Sequence, residues 1–159
     1  MRGAQGLYLP HAPPATAQDV VRLATEHVEG RLVVTGVLPL AELGLRWLPR
    51  VSGIHVLVPD AVRSTSSGLV RVTRTACIDE LGTWTRYGAA MAETERAVVD
   101  AARYAGSLRE ARGIVLAAVA DGWASVEGLQ ANLAQCRRNG SGTFPSRAHR
   151  PARCLPWRI

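Results

Sequence analysis

Apolar and polar positions are patterned most clearly between Gly53 and Thr75. Ile54 to Val58 is an apolar, β-branched run broken only by His55, and Pro59-Asp60 closes it. Leu69 to Thr75 alternates with period two, so Val70 and Val72 share one face while Arg71 and Thr73 take the other. Between them, Ser64 to Gly68 is turn material. The pattern predicts a β-hairpin, or two neighbouring antiparallel strands, with a long basic-tipped loop. Thr83 to Tyr87 is rich in β-formers and predicts a third strand.

Helical spacing dominates elsewhere. Val20, Leu23, Ala24, His27 and Val28 recur on one face after a capping Thr16 and stop at Gly30. Leu32-Val33-Val34 is a short apolar run, and Thr35 is placed to cap a second helix that ends near Gly44. Thr94 is read as the cap of a helix carrying Ala97, Val98, Ala101 and Ala105. Ser107 and Glu110 have capping-box spacing ahead of a stripe of Leu108, Ala111, Val115 and Val119. A last helix begins at Ser125 and carries Val126, Leu129, Leu133 and Cys136. The expected fold class is therefore α+β: a small antiparallel sheet built on the central hairpin and covered by three C-terminal helices. In that arrangement Val56, Val70 and Val72 face the helices that hold Val98, Ala101, Val115 and Val119, because each apolar face needs another to cover it.

Charge changes this picture little. The chain of 159 residues has a net charge of +6. Thirteen Arg balance thirteen Asp and Glu as far as residue 135, and six Arg with no acid follow. The excess thus belongs to a tail, which predicts weak, salt-sensitive DNA binding through Arg137, Arg138 and their successors. Lys is absent, as a GC-rich genome makes it. Three Cys without CxxC spacing suggest neither a disulfide framework nor a zinc site, and no apolar run reaches a membrane span. A bacterial cytoplasm is the expected location, with no membrane partner.

No GxGxxG, P-loop, HExxH or GxSxG motif is present. No catalytic residue, metal ligand or cofactor is expected, nor a small-molecule substrate, and the chain is read as not an enzyme. Mid-strand His55 reads as a packed structural histidine. Arg96, Asp100 and Arg103 form one polar stripe, read as a solvated helix face with weak ion pairs ahead of a catalytic or anion site. Arg63, Arg71 and Arg74 are candidates to converge near the hairpin and hold phosphates, against the alternative of an edge strand protected by charge.

Several stretches together resemble the AbiEi-type antitoxins of type IV toxin–antitoxin systems, known from high-GC actinobacteria. They are Thr35-Gly36, Gly44 to Pro49, His55 to Pro59, Arg63 with Ser66-Ser67-Gly68, Val70 to Val72, Arg74-Thr75, Arg96 to Arg103, Val126 to Gln130 and Arg137 to Ser141. The resemblance implies an antitoxin or transcriptional-regulator core domain over 15–138, with a nucleotidyltransferase-type toxin as partner. Such proteins carry a winged helix-turn-helix for operator DNA, and some end in a Vsr-like endonuclease domain. Here residues 1–14 read as a remnant of the wing or an irregular lead-in, and 139–159 as a disordered Arg/Pro-rich tail. The expectation is a truncated or frameshifted form without a complete DNA-reading domain. The alternatives are a non-catalytic regulatory remnant of a Vsr-like endonuclease-domain protein, or a plain protein-interaction domain.

Overall fold

The computed structural model describes residues 16–49 and 53–138. The lead-in over 1–14 and the tail over 139–159 lie outside them. Helix α1 (Ala17–His27) starts at a complete capping box: Asp19 N–H donates to Thr16 Oγ1, and the Asp19 carboxylate accepts from Thr16 N–H. Strand β1 (Val33–Thr35) follows, then helix α2 (Val37–Glu42), β2 (Ile54–Pro59) and β3 (Val70–Thr75). A 3₁₀ turn, Ile78–Glu80, leads to β4 (Thr83–Arg86) and β5 (Ala89–Ala92). Helices α3 (Thr94–Arg103), α4 (Leu108–Ala120) and α5 (Val126–Arg138) complete the order.

The α+β class stands, and the sheet is mixed. Its five strands run β3-β2-β1-β5-β4. The central pair departs from the expected hairpin: β2 and β3 are parallel over their whole length, from Ile54↔Val70 to Pro59↔Thr75. Period-two alternation sets which face a side chain takes, and it is silent on strand direction. The connector supplies the reversal instead. It doubles back and turns at Gly68-Leu69, where Ser67 and Val70 exchange both backbone hydrogen bonds at 2.9 Å. Ser66 Oγ accepts from Val72 N–H at 2.9 Å, which holds the returning segment against β3. The antiparallel hairpin lies elsewhere, between β4 and β5. Tyr87 and Gly88 turn it with φ of +52° and +76°, the doubly positive turn that suits the twist of paired strands.

Strand β2 is buried from Ile54 to Val58, so both its faces need cover. The face of Val34, Val56, Val70, Val72 and Met91 packs on Val20, Val21 and Ala24 of α1 and on Val28 just after it. This corrects the expectation that the C-terminal helices take these valines. Val98, Ala101, Val115 and Val119 belong to a second core, where α3 meets α4, α5 and Leu40 and Leu45 of the α2 region. On the sheet's other face Val33, Leu57 and Ala92 close over Ile78.

Two caps also differ from expectation. Thr94 is the first residue inside α3, after Glu93, and no side chain caps that end. Thr35 lies in β1, and Gly36 precedes α2.

Candidate functional site

The register of the sheet lines up three polar residues. Thr35 of β1 pairs with His55 of β2, and His55 pairs with Arg71 of β3. Paired residues point to the same face, so the row Thr35–His55–Arg71 runs across the sheet, with Thr73 two residues along from Arg71. Helix α3 lies against this row and presents Arg96, Asp100 and Arg103 at helical spacing.

Asp100 is the hub. Its Oδ2 accepts from Thr35 Oγ1 at 2.9 Å and from Arg96 Nε at 2.8 Å. Its Oδ1 lies 4.0 Å from Arg103 Nη1. The side chains of Arg96, Asp100 and Arg103 are 4%, 1% and 7% exposed. The solvated helix face expected for these residues is therefore incorrect. The reason is visible along α3: Ala97, Val98, Val99 and Ala101 are also buried, so the helix is enclosed on nearly all sides and takes its polar stripe inside. That all-round apolar content is the sequence signal that points to burial. Removing one member of such a buried ion pair typically costs about 3–5 kcal/mol, since the other charge is left uncompensated.

A second network joins the first. His55 Nε2 and Thr73 Oγ1 share a hydrogen bond of 2.9 Å, and Thr73 Oγ1 and Tyr104 OH share one of 3.1 Å. The rings of His55 and Tyr104 meet edge to face, with centroids 4.5 Å apart. The Arg71 guanidinium lies 4.7 Å from the Tyr104 ring centre and that of Arg103 lies 5.9 Å from it. Burial pushes the His55 pKa down to about 4; Asp100 opposes the change, while Arg71, Arg96 and Arg103 add to it. The imidazole is neutral at pH 7.

The three arginines weighed as candidates to converge do not, and β3, which carries Arg71 and Arg74, is an edge strand as the alternative reading has it. Arg71 and Arg74 fall on opposite faces of β3, as period two requires. Arg74 donates from Nε to the Val62 carbonyl at 2.9 Å and so ties down the connector. Arg63 is exposed on that connector. Arg137 and Arg138 end α5, and their side chains lie outside what is described. Thr73 and Tyr104 join the site without having been singled out by any motif, and Thr35 joins it from a strand rather than as the helix cap expected. Sequence alternation places Thr73 beside Arg71, but only the parallel register brings that pair to His55.

Arg96 also borders a small polar recess of about 150 Å³, lined by Glu80, Glu93, Glu95, Asn132 and Gln135 among others. Among the described residues no group of His, Cys, Asp and Glu is arranged to hold a metal ion. No family model, curated protein or solved structure matches this chain.

Proposed function

We propose that this chain is a non-catalytic core domain of the AbiEi-like antitoxin and regulator kind, acting on a toxin system rather than turning over a substrate. One observation carries the reading. Four of the stretches on which the resemblance rests, Thr35-Gly36, His55 to Pro59, Val70 to Val72 and Arg96 to Arg103, are separate in sequence yet come together around Asp100. A set of motifs that shares one three-dimensional site is a more specific likeness than the same motifs scattered over a surface. The site's chemistry agrees with recognition: its charged groups are engaged with one another, and His55 is held neutral by burial.

The interaction-domain alternative draws on a different feature. Helices α4 and α5 and the turn between them expose Leu108, Leu116, Trp123, Val126 and Leu133. Leu108 and Leu116 are each 67% exposed, apolar area that a protein partner would remove from water.

The test is functional. Producing this chain beside a nucleotidyltransferase-type toxin encoded next to its gene relieves the toxin's growth arrest. An Asp100→Asn variant that still folds loses part of that relief. If the folded parent gives no relief, the antitoxin reading fails. If pure protein cuts DNA in a metal-dependent way that one Asp or Glu substitution abolishes, the non-catalytic reading fails, and the non-catalytic endonuclease-remnant alternative fails with it.

A further inference from the structure

The outer side of α4 sets exposed apolar groups among arginines. Arg109, Arg112, Gly113 and Leu116 are three or four residues apart and so share one side of the helix, with Leu108 one turn before Arg112. The other side carries Ile114 and Ala118, buried in the core that α4 forms with α3. Gly113 leaves a gap in the outer side, and the Trp47 ring fills it: a Cβ on residue 113 would stand where that ring lies. Trp47 is nonetheless 47% exposed, and Arg46 beside it in the chain is exposed as well. Among the described residues, which hold all thirteen Asp and Glu, no carboxylate pairs with Arg46, Arg109 or Arg112. Glu110, the one acid of α4, accepts from Gly106 N–H at 2.8 Å instead.

This mixture selects the partner. Leu108 and Leu116 gain little from a sugar–phosphate backbone and much from apolar side chains that take them out of water. The unpaired guanidinium groups call for carboxylates, which their forked donors fit. A second copy meeting this side through a two-fold axis sets Arg109 and Arg112 against themselves, and like charges repel. The side is straight and about 20 Å long, the span of one helix lying along another.

We propose that the outer side of α4, with Trp47, docks an acidic amphipathic helix of a protein partner. Leucines of that helix cover Leu108, Leu116 and the open part of Trp47, and its Asp and Glu residues meet Arg109 and Arg112, with Arg46 flanking. Charge selects the partner and steers its approach, while the apolar contact holds it. The same exposed leucines carry the interaction reading above, on which this partner rests; relief of a toxin is a separate question.

The full chain, labelled for amide NMR, is titrated with a designed helical peptide of about 18 residues that carries a leucine stripe flanked by glutamates. A second peptide has lysine at every glutamate, and a single-stranded oligonucleotide and anionic phosphatidylglycerol vesicles are the other probes. The glutamate peptide moves the amides of α4 and the Trp47 indole resonance saturably. Arg109→Glu with Arg112→Glu weakens it at least tenfold and lets the lysine peptide bind in its place. Leu116→Ser weakens the glutamate peptide with both arginines present. All these positions are exposed, so the variants melt with the parent. If the lysine peptide binds the parent as tightly, the acidic partner is overturned while the apolar surface stands as an interaction site. The whole proposal is overturned if the glutamate peptide leaves α4 unmoved or moves only residues beyond 138. It is equally overturned if the oligonucleotide or the vesicles take the α4 side more tightly, or if the chain alone sediments as a dimer that Leu116→Ser breaks.

Discussion

At the scale of the residue, His55 is the most informative group. Its pKa is about 4 in the folded chain against an ordinary 6.5. The sign follows directly. Between those values the unfolded chain carries a proton on this imidazole that the folded chain does not, so stability rises with pH across the window and levels off above it. Acid removes the contribution as pH falls from about 6.5 towards 4, a difference on the order of 3 kcal/mol. Urea unfolding from pH 4 to 7 measures it. His55→Gln, which keeps an amide for Thr73, gives a shallower rise than the parent; parallel curves would mean that the ring is not held neutral. The residue's burial is legible in the sequence, since it sits inside an apolar run. Its company is not. Nothing in the spacing of Arg96, Asp100 and Arg103 distinguishes a solvated stripe from a buried one, because i, i+4 pairing looks the same in either place. Only the alanines and valines around the stripe tell them apart.

At the scale of the element, capping was legible at Thr16 and Ser107 but not at Thr35 or Thr94, and strand pairing was not legible. Thr16 and Ser107 both cap as their spacing predicts, although Glu110 reaches the N–H of Gly106 at 2.8 Å rather than that of Ser107. These are local bonds, decided within four residues. Strand direction is decided by the connector and by both faces of β2. The parallel pair brings backbones close at its start, where Ile54 N–H donates to the Leu69 carbonyl at 2.7 Å. A Cβ on Gly53 would occupy the position of that carbonyl group. Backbone cannot yield as a side-chain tip does, so Gly53→Ala forces β2 and β3 apart and costs about 2 kcal/mol or more. Denaturant melts read the loss, and hydrogen exchange reads its location: amides at the starts of β2 and β3 lose protection before those of α4. Gly53→Ala melting with the parent would show that the two strands do not approach this closely.

At the scale of the molecule, three apolar clusters pack around one sheet, and α1 rather than the C-terminal helices covers the face of Val56 and Val70. The helices were each recognisable by period, but a period says that a face is apolar without saying what it meets. Val56 is wholly buried against α1. Val56→Asp buries an unpaired charge and removes several kcal/mol of a margin typically near 5–15 kcal/mol, while Arg63→Ala on the exposed connector changes stability by less than about 0.5 kcal/mol. Circular dichroism melts of the two variants settle the comparison; similar losses would place Arg63 in the core architecture. Recognition of the cluster at Asp100 was out of reach for the same reason: Thr35, His55, Arg71 and Asp100 are neighbours only once β1 stands between β2 and β5. That middle strand is three residues long, and its Val33 pairs with Leu57 on one side and Ala90 on the other. On the ribosome this ordering imposes a wait. At about 5–20 residues per second, Ala90 emerges several seconds after Val33, and in that interval β1, joined by β2 and then β3 as they emerge, has an open inner edge. A chaperone that binds apolar strands has its opening then, and synonymous codons that slow translation between residues 59 and 89 lengthen it.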